Sequence, residues 1–324
     1  MIFFITVLRA LAALLITNAH YVGVYPIEII ANGGLLGDVI FFGVSGFCLV
    51  NIKQGFFQWY RKRVIRIYPT VWLITTIYIL LGFYSLKYWS LAEYYFYPTY
   101  YHFVGSIIVL YIAFYVVVKT KVLLNNIPRL MVCLFMIELI IYIFIYDKST
   151  YHIDTVREPM IRFLFFQSML LGAYFRINKE RFMDSNRIMN WVALLLTFIA
   201  YFGSKLTFVK FDQLSDYQII NQVILIGLLY FVFKSFAGID TRLEKLPNKI
   251  KGIIAFVSSI TLEIYMVQYV IIPKFSTIVF PLNWIVITFV IVLSAYLLHV
   301  ISQAIIKSIE RIINKKSNSR GYTI

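Results

Sequence analysis

The sequence predicts an all-α membrane protein, a bundle of about ten transmembrane helices with both termini in the cytoplasm. Three observations carry that prediction. Hydrophobic residues fill 61% of the 324 positions and charged residues only 14%, against about 25% charged in a soluble domain. The charges gather in short clusters between long apolar runs, which is the pattern of repeated spans. The basic clusters also alternate in size along the chain, as they do when every second connection faces the cytoplasm.

The apolar runs place helices at 3–22, 34–52, 67–83, 103–118, 130–146, 160–176, 189–204, 218–235, 252–273 and 284–306. Several run to only about 16 residues, the short end for a membrane span. The first run begins at Met1 with no basic segment ahead of it and carries Arg9 inside it, so it is expected to be retained as a span and not cleaved as a signal peptide. The second contains Gly43 and Gly46, which allow close approach of another backbone or of a ligand. Ahead of the third stand four cations in six positions, Arg61, Lys62, Arg63 and Arg66. The fifth contains Glu138, the sixth Arg162, the ninth Glu263 and the tenth His299. The connections leave no room for a soluble domain. Residues 1–310 therefore read as one transmembrane domain, and 311–324 as a polar cytoplasmic tail in which Lys315 to Arg320 are expected to be mobile. No internal repeat is visible, so a transporter built from two related halves gains no support.

Basic residues orient the spans. With their flanking turns, the connections after spans 2, 4, 6, 8 and 10 hold 22 Lys and Arg. Those after spans 1, 3, 5, 7 and 9 hold 6, and Arg9 and Arg162 lie within spans. The richer set belongs in the cytoplasm. The net charge of +15 is thus an affinity for membrane lipids and gives no reason to expect nucleic acid, since the basic residues flank apolar spans and form no groove with stacking aromatics. Aromatic residues at 18% suit interfacial belts. Cys48 and Cys133 lie inside predicted spans, without metal-type spacing, and read as small packing residues; no metal site is expected.

An ionisable side chain inside a span is a candidate for function. Arg9 and His20 are 11 residues apart, which at about 100° per residue returns to nearly the same helix face. One face of span 1 would carry a guanidinium toward the cytoplasm and an imidazole toward the outside, although both could simply snorkel to the nearer interface. Asp38, near the outer end of span 2, matches His20 in depth. It could hold one imidazole nitrogen and leave the other as a base, or be an N-terminal charge complementing the helix macrodipole. Gly43-Val44-Ser45-Gly46-Phe47 suits either helix packing or a ligand. Arg63 and Arg66, three apart, share a face if helical and could grip phosphate through bidentate donors, or anchor anionic lipid. Glu138, Arg162 and His299 each admit a plain structural role, and His102 and His152 fall on outward connections.

Taken in order, these segments resemble the acyltransferase-3 family of bacterial membrane acyltransferases, which modify surface glycans with acetyl or other acyl groups. Val7-Leu8-Arg9-Ala10-Leu11-Ala12-Ala13-Leu14-Leu15 followed by His20 resembles its Arg, ten residues, His pattern. Gly37-Asp38-Val39-Ile40-Phe41-Phe42-Gly43-Val44-Ser45-Gly46-Phe47 is like its Gly-Val-Asp-x-Phe-Phe-x-x-Ser-Gly-Phe, and Arg63-Val64-Ile65-Arg66-Ile67-Tyr68-Pro69 resembles its Arg-x-x-Arg-x-x-Pro region. Looser echoes follow. Arg162 to Gly172 is like its Phe-rich segment ending in Gly, and Ser258 to Gln268 is like its late Ser-rich segment, with Gln268 where His is common.

The resemblance implies an acyl-CoA donor, most simply acetyl-CoA, no tightly bound cofactor, and a glycan or lipid-linked saccharide acceptor. It implies catalysis by His20, as general base or acyl carrier, oriented by Asp38. Arg63 and Arg66 would hold the donor's phosphates, and Arg9 and Ser45 would shape its path. Gln268 could not transfer a proton as His would. The family often carries a fused hydrolase-like domain; none is read in this chain, so transfer is expected within the membrane domain or through a separate partner. The rival expectation is a non-enzymatic transporter or export partner for a lipid-linked glycan, and a third is an inactive member that assists glycan assembly. The expected location is the bacterial inner membrane.

The charge asymmetry generates a topological prediction. Single cysteines placed in the connections at 24–33 and 205–216 of a cysteine-free background should react with an impermeant thiol reagent on intact cells. Cysteines at 61–63 and 242–251 should react only after permeabilisation. External labelling at 61–63 would overturn the orientation.

Overall fold

Backbone amides in hydrocarbon have no water to bond, so a long apolar run must satisfy them internally by coiling into a helix. The computed structural model describes residues 2–155, 159–183, 187–275 and 277–319, and the described residues contain helices and no strands. The long helices are α1 (Phe3–Ala19), α2 (Gly34–Leu49), α3 (Phe56–Leu80), α4 (His102–Lys119), α5 (Ile127–Phe144), α6 (Met160–Ile177), α7 (Ile188–Lys210), α8 (Ile219–Ala237), α9 (Asn248–Ser259), α10 (Thr261–Phe275) and α11 (Leu282–Ser319). Among the described residues, eight are long and apolar enough to cross a membrane, and nine spans result if α9 and α10 together count as one. α1 is a shorter apolar helix. Every predicted span is thus occupied by helix.

The ends differ from the sequence expectation for physical reasons. α3 begins at Phe56 rather than 67 and carries the cationic segment on its first turns. Hydropathy marks only the part of a helix that suits lipid, whereas Lys and Arg prolong a helix readily. For the same reason α11 runs on to Ser319, so residues 311–319 of the expected tail continue the last helix, and 320–324 lie outside the described residues. The ninth predicted span is interrupted at Ile260, between Ser258-Ser259 and Thr261, hydroxyl and β-branched residues that favour helix poorly. α1 stops at Ala19, and the His20 N–H donates to Thr17 O at 3.0 Å in a closing turn.

The chain forms two compact units. The first comprises Met1–Ile16, Gly33–Lys53 and Val109–Ser258. Its centre is the crossing of α2 on α6. A Cβ added to Gly46 would overlap the carbonyl of Met169, and one added to Gly172 would overlap the carbonyl of Gly43, so the glycines set how closely the backbones approach. Phe42 and Phe165 stack beside the crossing with centroids 4.2 Å apart. The N–H of Phe4, one of the amides a helix start leaves without partner, donates to Asp240 Oδ1 at 2.6 Å, and the carboxyl complements the positive end of the macrodipole. α8 is tied to α7 by Asn221 Nδ2, which donates to Tyr201 O at 3.1 Å and Ser204 Oγ at 2.8 Å. The connection after α5 is pinned by Gln218, whose Oε1 accepts from the N–H groups of His152 and Ile153 at 2.9 Å. Asp154 pairs with Lys205 of α7 at 2.6 Å.

The second unit comprises Thr17–Asn32, Gln54–Ile108 and Ser259–Ile324. Here α3, α10 and α11 pack on one another. The connection after α1 is held by Asn18, whose Nδ2 donates to Ile30 O at 2.7 Å and Asn32 O at 3.0 Å while its Oδ1 accepts from Tyr25 OH at 2.7 Å. Asn283 Nδ2 donates to Val24 O at 2.9 Å and secures the same connection to the start of α11.

Large apolar side chains remain exposed along α5, α7 and α11, among them Ile140, Leu195, Ile199, Ile285 and Phe289. In water such surfaces would be association sites; in a bilayer they face lipid. Cys48 and Cys133 are exposed in the same way and are not the buried packing residues that the sequence suggested.

The glycine crossing generates a stability prediction. Gly46→Ala should destabilise the protein by about 1–3 kcal/mol, because overpacking must push the two backbones apart. Gly203→Ala on α7, where a Cβ meets nothing within 4 Å, should be neutral or mildly stabilising. Thermal unfolding in detergent tests the pair, and equal midpoints for the two variants would contradict the packing account.

Candidate active site

Polar side chains in membrane helices need partners within the protein, so each candidate is identified by what it touches. His20, in the second unit, is the first residue beyond α1. The 100° helical projection that aligned it with Arg9 therefore runs out one residue short. Its ring lies edge-on against Tyr269 of α10, centroids 4.6 Å apart, and Tyr269 is itself edge-on to Tyr265 at 5.5 Å. Within its unit the His20 side chain is held by this aromatic contact, and no hydrogen bond to its ring nitrogens is found among the described residues.

Arg63 and Arg66 lie on α3, whose helix continues unbroken through both, so they share a face as the spacing requires. Arg63 is half-buried and Arg66 exposed. Arg66 acts electrostatically on Glu263 of α10. The Glu263 carboxyl is buried and its Oε1 lies 2.8 Å from His299 Nδ1 of α11. The Glu263–His299 pair thus joins α10 to α11, and the Arg66 charge of α3 acts on it. The sequence presented Glu263 and His299 as unrelated residues of different spans.

In the first unit, Asp38 is buried in the second turn of α2. The first turn holds no acidic residue, and the macrodipole effect fades beyond it, so complementing the dipole is a weak account of Asp38. Ser45 is half-buried on the same helix, between the two glycines. Gly43 and Gly46 are explained by packing on α6. The Phe-rich segment from Arg162 to Gly172 supplies the other side of that crossing, so two separate sequence signals prove to be halves of one interface. Arg9 of α1 points a guanidinium nitrogen at Cys48 Sγ, 3.8 Å away.

Arg63, Arg66, His20, Glu263 and His299 therefore belong to the second unit, and Arg9, Asp38 and Ser45 to the first. Glu138 is buried on α5, where its Oε2 accepts from Gln167 Nε2 of α6 at 2.9 Å. Arg162 is exposed in the first turn of α6. His152 Nδ1 lies 2.8 Å from Thr150 O and its ring stacks on Tyr146, a local structural role; His102 opens α4. Gln268 of α10 is fully buried, and neither of its amide atoms finds a partner among the described residues. Sequence reasoning missed Tyr269 and Asn18, the residues that fix the His20 ring and the connection that follows it. Neither stands out in one sequence, because a tyrosine within a span and an asparagine at its edge are ordinary there.

The arrangement offers a half-buried imidazole, a pair of guanidinium groups on one helix face and a carboxylate–histidine pair. An imidazole can take a proton from a hydroxyl, and paired guanidinium groups can bind phosphate. The acyltransferase domain family matches residues 2–302, a range that includes every one of these side chains. No curated protein and no solved structure matches the chain. With most of its length covered by that one match, this multi-pass integral membrane protein belongs to the acyltransferase-3 family.

Proposed function

We propose that the protein is an O-acyltransferase of the O-acetyl type. It takes an acyl group from cytoplasmic acyl-CoA, with acetyl-CoA as the donor, and delivers it to a hydroxyl of a cell-surface or lipid-linked glycan. The observation that carries this reading is the family match over residues 2–302, because it includes His20, Asp38, Arg63 and Arg66 within one acyltransferase domain. On this reading residues 1–310 form the transmembrane domain and 311–324 its cytoplasmic extension. The chain lies in a bacterial inner membrane with both ends in the cytoplasm, as the distribution of Lys and Arg requires.

The chemistry follows from the side chains. Arg63 and Arg66, one turn apart on α3, bind the donor's phosphates from the cytoplasmic side, with Arg9 and Ser45 along the donor's path. His20 removes the proton from the acceptor hydroxyl as its oxygen attacks the thioester carbonyl. The new ester C–O bond forms, the C–S bond breaks, and the proton passes from the imidazolium to the departing thiolate, giving free CoA and the acylated glycan. Tyr269 holds the imidazole ring in place. Asp38, on α2 of the first unit, has the supporting share in catalysis. It stands one position before the acidic residue of the family pattern, which on a helix turns it by about 100°, so its share in catalysis should be smaller than that of His20.

Two predictions follow from these roles. The Arg63→Ala, Arg66→Ala variant should bind acetyl-CoA at least about tenfold more weakly, since each lost charge-assisted contact is worth about 1.5–3 kcal/mol. Arg66→Lys should also weaken binding, because the planar fork is lost. Calorimetric titration of the purified protein measures both, and unchanged affinity would return the pair to the role of a lipid anchor. His20→Ala should abolish glycan acylation in a strain lacking the wild-type protein while acetyl-CoA binding persists, and Asp38→Asn should lower turnover by a smaller factor. Acylation near the wild-type level in the His20→Ala strain would remove His20 from the mechanism.

A further inference from the structure

In the second unit, the connection from α3 to α4 folds back along α3. It turns at Gly82, and the N–H groups of Phe83 and Tyr84 both donate to Tyr78 O. A short helix, Leu91–Tyr95, follows and opens with a capping box between Ser90 and Glu93. From the end of that helix the chain runs beside α3. Tyr95 OH lies 2.9 Å from Thr76 Oγ1, Tyr95 O accepts from Trp72 Nε1 at 2.7 Å, and Phe96 O accepts from Tyr68 OH at 2.6 Å. Tyr68 lies about 18 Å along the helix axis from Leu80, the last residue of α3.

That stretch of α3 is at membrane depth. Arg61, Lys62, Arg63 and Arg66 mark its cytoplasmic end. A hydrocarbon core takes about 20 helical residues, and α3 stops at Leu80, before that length beyond Arg66 is reached. In hydrocarbon the Trp72 N–H and the Tyr68 O–H have no water to bond, and the returning carbonyls satisfy them. The returning backbone is satisfied in turn. The N–H groups of Phe96 and Tyr97 donate to Ala92 O, that of Thr99 to Tyr97 O, that of Tyr100 to Glu93 O and that of Tyr101 to Pro98 O, while Pro98 has none. Tyr84 OH bonds to Tyr101 OH at 2.7 Å, and Tyr94 OH donates to Ser85 O at 3.2 Å. Beside α3 the outward side chains are apolar, with Phe96 74% and Tyr97 38% exposed. Lys87 is exposed in the earlier half of the connection.

We propose that residues 81–101 form a re-entrant segment, which enters the bilayer from the outer face, returns without crossing it, and sets Phe96 and Tyr97 against lipid acyl chains. The proposal rests on the orientation given above, in which this connection starts outside. A cap standing in water above the membrane would not reach Trp72 and Tyr68.

Thiol labelling of the full chain in cells, on a cysteine-free background, tests the proposal. Lys87→Cys should react with a charged, impermeant maleimide on intact cells. Phe96→Cys and Tyr97→Cys should react at least about tenfold more slowly, before and after permeabilisation, because apolar surroundings suppress the thiolate and each unit of pKa is tenfold. All three should react alike once the protein is unfolded in detergent. A nitroxide attached at Phe96→Cys in nanodiscs should be more accessible to oxygen than to a water-soluble nickel chelate. Reaction of Phe96→Cys at the rate of Lys87→Cys, or greater accessibility to the chelate, would place the segment in water and overturn the proposal. Reaction of Lys87→Cys only after permeabilisation would overturn entry from the outer face. Phe96→Cys reports the embedding separately, so a failure of the orientation is told apart from a failure of the membrane placement.

Discussion

Two helices reach backbone contact only where side chains are missing from the crossing, and α2 meets α6 on those terms at Gly43, Gly46 and Gly172. Much of the first unit is arranged around that approach. α6 turns its other faces to α5 and α8, so Gln167 meets Glu138 and a cavity beside them takes its shape. α2 carries Asp38 and Ser45 on the same rigid element. A site built on a helix whose crossing distance is set by backbone atoms can hold its side chains to the tolerance that chemistry requires. The glycines of the Ser-Gly-Phe segment thus take the packing role that its sequence allowed.

Partnering separates the structural polar residues from the rest. Glu263 with His299, Lys205 with Asp154, and Asn221 with the end of α7 are each satisfied by groups from another helix or connection, and such pairs pin helices where lipid supplies no hydrophobic force between them. Arg66 acts electrostatically on Glu263 of the first of these pairs while remaining exposed. Arg63 and Arg66 thus differ in setting although the sequence presents them as equivalents.

Much of this fold was legible in the chain because hydropathy reports directly on the solvent that each segment prefers. Ten apolar runs became ten helical positions, and Arg9 and Asp38 fell on the helices expected. What escaped was of two kinds. A helix can outlast the membrane, so α3 and α11 run past the ends of their apolar runs, and α1 ends one residue before His20. Partnership across helices depends on rotation and depth that a sequence does not record: Glu263 and His299 are 36 positions apart, Glu138 and Gln167 are 29 apart, and no local spacing connects them. Tyr269 became visible as a contact of His20 only through the packing of α10.

Gln268 bears on how the proposed reaction divides its labour. It follows Tyr265 and precedes Tyr269 on α10, and the resemblance noted in the sequence sets an expectation of His there. It is fully buried with both amide atoms unpartnered among the described residues, an arrangement that leaves the penalty of desolvating an amide uncompensated unless a ligand atom arrives. An amide can donate and accept a hydrogen bond at the same time, but it cannot take up a proton near neutral pH. It can therefore orient a carbonyl or a hydroxyl and can do nothing for the proton released when that hydroxyl attacks. In the reaction proposed above, the proton transfer therefore falls to an imidazole elsewhere. His299 is bonded to Glu263, and His152 lies against Thr150 O and Tyr146. The reaction proposed above assigns that task to His20, whose ring lies against Tyr269.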